Sequence, residues 1–177
     1  MNHADYLVDL VDNNGAVTGS KKRQRIVKSV DLYHTVFIIL YTPDHHFILS
    51  KIPTRRDLPN LYSASVGATA ATIRRHGESS DQASLRAVKN ELLIDDARLK
   101  HIGDSYLELP DGHRTYASIY CGTHFLPEDF SHKDIESLEV FGPNDLDNAM
   151  RSNKGAFAPT FLAIWQKYRE KLLAIWT

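Results

Sequence analysis

Apolar runs broken by short clusters of Gly, Pro, Asn and Asp divide this chain into segments of two periods. Residues 6–12 (YLVDLVD) read as a short strand closed by the turn signal Asn13-Asn14-Gly15. Residues 33–41 (YHTVFIILY) are β-branched and aromatic with little alternation, which predicts a central strand buried on both faces. Thr42-Pro43-Asp44-His45 turns the chain, so that residues 47–52 pair back as a hairpin partner. Residues 53–60 hold two prolines and three charges and predict a surface loop, and 63–66 form a short extended piece leading into Gly67.

Residues 79–93 are the strongest helix: Ser79 can cap it, Asp81 lies in its first turn, and no Gly or Pro interrupts it. At 100° per residue, Leu85, Val88 and Leu92 share one stripe, expected to pack on a sheet. Ala87, Asn90, Glu91 and Ile94 fall on a different stripe, with Glu91 expected to face a cleft. Strands are then expected at 99–109 and 116–122 around Pro110-Asp111-Gly112, and at 138–141. Pro143-Asn144-Asp145 opens a small helix, and 161–176 predict a long amphipathic helix whose Trp165, Tyr168 and Trp176 serve as core or interface packing. Strands, a helix, more strands and a closing helix argue for an α/β sandwich around a mixed sheet. Helices do not alternate regularly with strands, which disfavours a doubly wound parallel sheet.

A length of 177 residues fits one domain spanning 1–177, and 42% apolar with 24% charged residues fits a soluble globular protein. The formal net charge of -1 supplies no global field for a nucleic-acid polymer or an anionic membrane, and neither is expected as a partner. The start, MNHADYLVDLVD, lacks the basic region and long apolar run of a signal peptide. No apolar stretch approaches the roughly 20 residues needed to span a bilayer. The lone Cys121 excludes an intramolecular disulfide and fits a reducing interior, so the expected location is cytoplasmic. Residues 21–28 (KKRQRIVK) form a basic cluster that reads as a solvated edge, a short helix with a charged face, or part of a phosphate-binding rim.

One stretch carries more specific information. Residues 77–94 read GESSDQASLRAVKNELLI, with Arg86 eight positions after Glu78, followed by Glu91 and Ile94. This resembles the signature of the Nudix hydrolases, G-x5-E-x7-R-E-U-x-E-E-x-G-U, where U is a bulky aliphatic residue. Glu78, Arg86, Val88, Glu91 and Ile94 match it. Ala87 stands where the pattern has the glutamate after the arginine, Asn90 replaces the first of the paired glutamates, and Leu93 replaces the glycine. The wider chain resembles the isopentenyl-diphosphate-isomerase-like branch: Leu32-Tyr33-His34, residues 49–55 and 58–67, and Phe157-Ala158-Pro159-Thr160-Phe161 follow its order.

The resemblance implies a Nudix-type α/β/α sandwich around a mixed β-sheet, and a Mg²⁺-dependent hydrolase of a nucleoside diphosphate-linked or other diphosphate small molecule. Mn²⁺ would substitute for Mg²⁺, and a homodimer is an allowed assembly. A hard divalent ion neutralises a diphosphate and activates water, and it takes oxygen ligands from glutamates one helical turn apart. Carried over by position, Glu91, Glu78 and Arg86 are the catalytic candidates, and Glu91, Glu78 and the Gly67 carbonyl the metal ligands. Arg74 and Arg75 are candidates for binding substrate phosphates; they lie in a loop that nine residues between Gly67 and Gly77 make about four residues longer than the family spacing. With Ala87 and Asn90 in place of two glutamates, the expected activity is reduced or altered. The alternative is a catalytically inactive domain that binds a nucleotide or protein partner.

Other residues weigh less. Glu108, Asp111, Glu136 and Glu139 are candidates for an additional acid from outside the box, against the simpler role of surface charge. His34 reads as a satisfied core or edge histidine, Cys121 as a small core residue, and His45-His46 as a turn without a third metal ligand. The branch's isomerases use a cysteine just before the box, whereas Ser63-Ala64-Ser65 stands here, which disfavours isomerase chemistry.

Overall fold

The structure is a computed structural model describing residues 6–67, 72–109 and 112–176. The expected Pro110-Asp111 turn and the Trp176 side chain lie outside the described residues.

Strand β3 (His34–Tyr41) is buried at every position, as its unbroken apolar run requires. It pairs in parallel with β7 (Arg114–Thr123) along its whole length and antiparallel with β4 (Phe47–Lys51) at one end. The sheet has six strands, in the order β5 (Tyr62–Ser63), β4, β3, β7, β6 (Lys100–Glu108), with β8 (Ser137–Phe141) pairing with β4. Among the described strand pairs of this sheet β3–β7 is parallel and the others antiparallel, so the sheet is mixed. A separate two-stranded ribbon joins β1 (Leu7–Val11) to β2 (Val17–Lys22). The basic cluster falls at the end of β2 and in a single 3-10 turn at Arg23–Arg25.

Side chains alternate across β3 and build two cores. Val36, Ile38 and Leu40 point toward helix α1 (Ser80–Leu92) and pack with Ala83, Ala87, Val88 and Leu92. Phe37, Ile39 and Tyr41 point to the opposite face and pack with Leu146 of α2 (Pro143–Ser152) and with Phe161, Trp165 and Tyr168 of α3 (Pro159–Leu173). Helices on both faces of a mixed sheet make the expected α/β/α sandwich. Cys121 is buried in the second core, where burial pushes its thiol up to about 11.

Helix α1 forms where the sequence places it, but its buried face is rotated. Leu85, expected in the core, is 46% exposed; Ala83, Ser84 and Ala87 are buried instead, beside Val88 and Leu92. Small side chains on that face let α1 approach β3 closely, and close approach leaves the bulkier Leu85 outside. The helix ends on Leu93 in the left-handed conformation, with φ of 57°. This is the box position where a glycine is usual, and a left-handed backbone costs a residue with a Cβ roughly 1–2 kcal/mol.

Leu93 is 53% exposed, so little packing is lost on its removal. Leu93→Gly is therefore expected to stabilise the protein by about 0.5–1 kcal/mol, net of the extra freedom glycine gives the unfolded chain. Chemical denaturation reads this directly, and a loss of stability would show that the leucine side chain, not the backbone, sets the helix end.

Candidate functional site

The loop entering α1 is tied down by its own polar groups. Ser79 Oγ accepts from the Gln82 amide at 3.1 Å, and the Gln82 side chain accepts from the Ser79 amide at 2.9 Å, a reciprocal capping box. Just before it, Glu78 meets Arg86 in a two-pronged ion pair, Nε to Oε1 at 2.6 Å and Nη2 to Oε2 at 2.8 Å. Arg86 Nη2 also donates to the Ile73 carbonyl at 3.0 Å, and Glu78 Oε2 accepts from the Arg75 amide at 2.9 Å. The eight-residue spacing thus closes the loop onto the helix. Burial works to raise the Glu78 pKa, but the Arg86 guanidinium and the Arg75 amide outweigh it and hold the carboxyl below its ordinary value.

The metal positions of the resemblance fare differently. Ala87 is fully buried among Val36, Ile38 and Val66, while Asn90 is exposed. Glu91 does not face a cleft: it is 1% exposed. The segment after β7 covers that end of α1, with the Ser131 amide donating to the Glu91 carbonyl at 2.8 Å and Ile135 and Phe130 packing into the same core. Both carboxylate oxygens of Glu78 are engaged by Arg86. Among the described residues no group of three or more His, Cys, Asp or Glu side chains could hold a metal ion. A donor set of one sequestered carboxylate, one ion-paired carboxylate and one amide does not fit Mg²⁺, which binds through accessible oxygens.

The other candidates are dispersed. Gly67 lies against Phe37, whose ring carbon would stand 2.6 Å from an added Cβ, so packing alone requires glycine there. Ala68 and Thr69 fall outside the described residues. Arg74 and Arg75 are not on a free loop: Ile73 bridges Thr35 and Arg75 bridges Val8. Arg74 Nη2 lies 3.6 Å from Asp9 Oδ2, and the Arg75 guanidinium lies over the Tyr6 ring at 4.9 Å. Glu108 accepts from Tyr106 and Glu139 from Tyr62, Glu136 is exposed, and Asp111 is outside the described residues.

A polar cleft of about 470 Å³ opens beside the first turn of α1, away from the metal positions of the box. His34 of β3, Ser80 and Asp81 of α1, His101 and Asp104 of β6, and Ser118 and Tyr120 of β7 line it. His34 Nε2 lies 2.7 Å from Ser118 Oγ and 3.3 Å from Ser80 Oγ, and Ser118 Oγ donates to Asp104 Oδ1. His101 Nε2 lies 3.0 Å from the same Asp104 oxygen, and Tyr120 donates to Asp81 Oδ1 at 2.7 Å. Burial would raise Asp104, but its bonds from Ser118 and His101 outweigh that and keep it below the usual carboxylate value. His34 is 5% exposed with Nδ1 unpartnered; burial first, and the nearby Arg74 charge second, push its pKa down to about 4. His34 is buried, in line with a core or edge histidine, but the cleft itself has no linear signature, because its walls come from five separated segments: the Asn14-Gly15 turn, β3, α1, β6 and β7.

No protein-family model matches the chain, and no curated protein sequence matches it. Solved structures do. A Deinococcus radiodurans crystal structure superposes with a TM-score of 0.69 at 20% identity, over 86% of this chain and 92% of that one. A MutT protein from Methanosarcina mazei gives 0.61 at 12% identity, over 79% and 94%. The NUDIX domain of Shewanella oneidensis NrtR, solved with ADP ribose, gives 0.58 at 14% identity, over 78% and 87%. The fold is that of the Nudix hydrolases.

The depressed pKa of His34 sets an acid limit on stability. Its ordinary value is 6.5, so below that pH the unfolded chain takes up a proton that native His34 refuses until about pH 4. Stability therefore falls as pH drops through this window, by ~3 kcal/mol in full. Glu78 and Asp104, whose ordinary values are 4.5 and 3.8, are lowered in the fold, so their losses come at lower pH. Urea denaturation between pH 7 and pH 4.5 is expected to show most of this slope in the native chain and little of it in His34→Gln; equal slopes would contradict the assignment.

Proposed function

We propose that this chain is a degenerate Nudix-type hydrolase, a single domain that takes a diphosphate-linked small molecule and hydrolyses it slowly or not at all. One observation supports this above the others: the box retains its structural clamp, Glu78–Arg86–Ile73, while its carboxylate platform has become packing, with Ala87 fully buried and Glu91 1% exposed. The fold supports diphosphate chemistry as the class. Arg74 and Arg75, each with a buried Nε lacking a partner, are the groups proposed to meet the substrate's phosphates. Among the described residues no helix is long and apolar enough to cross a membrane, and the single, buried cysteine suits a cytoplasmic setting.

A second reading is a Mg²⁺-dependent hydrolase of low turnover, with Glu91, Glu78 and Arg86 as its catalytic set. The intact clamp favours it, since Glu78 and Arg86 still tie the loop to the helix. The two readings differ in what Glu91 does. A panel of nucleoside di- and triphosphates, nucleotide sugars and dinucleoside polyphosphates, with Mg²⁺ or Mn²⁺, separates them by product release and thermal shift together.

The first reading expects a diphosphate ligand to raise Tm, and Arg74→Ala with Arg75→Ala to abolish that shift, with product release equal in native chain and Glu91→Gln. Metal-dependent turnover, however slow, that is lost in Glu91→Gln would establish the second. The packing also dictates what repair of the box does. Ala87→Glu forces an unpaired carboxylate into a fully buried position and should cost about 3 kcal/mol or more, read as a fall in the urea midpoint. Unchanged stability in Ala87→Glu would mean that position 87 opens to solvent, and with it the metal site.

A further inference from the structure

We propose that the polar cleft at the first turn of α1 is a binding site for a neutral polyhydroxylated group, such as a sugar or cyclitol ring. Its volume of about 470 Å³ suits a small molecule. Its chemistry selects against anions, because two carboxylates, Asp81 and Asp104, line it and, among the described residues, no lysine or arginine does. Asp104 is kept in its charged form by the hydrogen bonds from Ser118 and His101. A diphosphate is therefore excluded here, and the site is separate from the diphosphate chemistry proposed above and does not rest on it.

The hydrogen-bond inventory then names the ligand. Both bonds that Asp104 accepts, from Ser118 and His101, fall on Oδ1, and the bond that Asp81 accepts from Tyr120 also falls on Oδ1. Each carboxylate thus keeps Oδ2 as an acceptor without a partner among the described residues, and each asks for a donor. The Ser118 hydroxyl and His101 Nε2 already give their hydrogens to Asp104, whereas the Ser80 hydroxyl keeps one to give, so the occupant has to accept as well as give. An ammonium group only donates, whereas a hydroxyl does both. Neighbouring hydroxyls on one ring meet the pattern, and the tyrosine rings of Tyr116 and Tyr120 offer apolar wall for the ring carbons.

The test follows the histidine rings by NMR, since His34 and His101 sit in the cleft and Glu78 and Arg86 do not. The folded full chain is titrated separately with myo-inositol, D-ribose, ethanolamine and inorganic pyrophosphate. The expected result is a saturable shift of the His34 and His101 ring signals with at least one of the two polyols. Asp104→Asn should weaken that binding about tenfold or more, as expected for losing a charge-assisted hydrogen bond. Asp81→Asn, at an exposed helix position, repeats the measurement should Asp104→Asn fail to fold. No shift with either polyol, a shift with ethanolamine alone, or the same shift with pyrophosphate would each overturn the proposal. A polyol response unchanged in both variants would overturn it too. Because the readout is local to the cleft, these outcomes stand whatever the hydrolase panel shows.

Discussion

Burial of β3 on both faces is the constraint from which the other elements take their places. A strand with no solvent-facing side must be flanked by other strands and covered by helices above and below. β7 satisfies its backbone along one edge over the full length, and the other edge is met by β4 and by Val66, whose amide and carbonyl both pair with Ile38. Val36, Ile38 and Leu40 then demand α1, and Phe37, Ile39 and Tyr41 demand α3. His34, at the polar start of the same strand, is where the apolar core gives way to the hydrogen-bonded cleft.

Along α1 this demand has displaced the chemistry that its sequence suggests. Alanines at 83 and 87 bring the helix down onto the even-numbered face of β3, and Phe130 and Ile135 close over its far end. A glutamate platform needs space and water at 87 and 91, and close packing supplies neither there, although position 90 stays exposed. What the structure holds at this end of α1 is mechanical: a loop folded back by Glu78 and Arg86 and capped by Ser79 and Gln82. The polar surface of α1 has moved to its first turn, where Ser80 and Asp81 face β6 and β7 rather than the segment around Gly67.

Much of this was legible beforehand, and the failures have physical causes. The continuous β-branched run marks β3, the Ser79 cap marks the start of α1, and Glu78 and Arg86, singled out by the resemblance, meet in an ion pair through both carboxylate oxygens. A hydrophobic period favours large side chains and so ranks Leu85 above Ala83 and Ala87, whereas the structure buries the two alanines and leaves Leu85 46% exposed. Residue size, which decides how closely helix and sheet approach, carries no periodic signal. Strand β2 went unrecognised because almost all of it is exposed and no alternation marks it. The arginines after Gly67 read as a loose loop because their bridges to β1 and β3 join residues distant in sequence. The cleft was invisible for the same reason, since His34, Ser80, Asp104 and Ser118 share no spacing that a linear pattern could reveal.

The claim at the centre of this account is that α1 packs against the sheet and does not present Glu91 to a metal ion. Titration of the protein with Mn²⁺, followed by the electron paramagnetic resonance signal of the free ion, tests it without reference to any substrate or turnover. The account predicts that the native chain leaves the free Mn²⁺ signal undiminished near stoichiometric concentrations, and that Glu91→Gln behaves identically. A stoichiometric Mn²⁺ site that disappears in Glu91→Gln would contradict it.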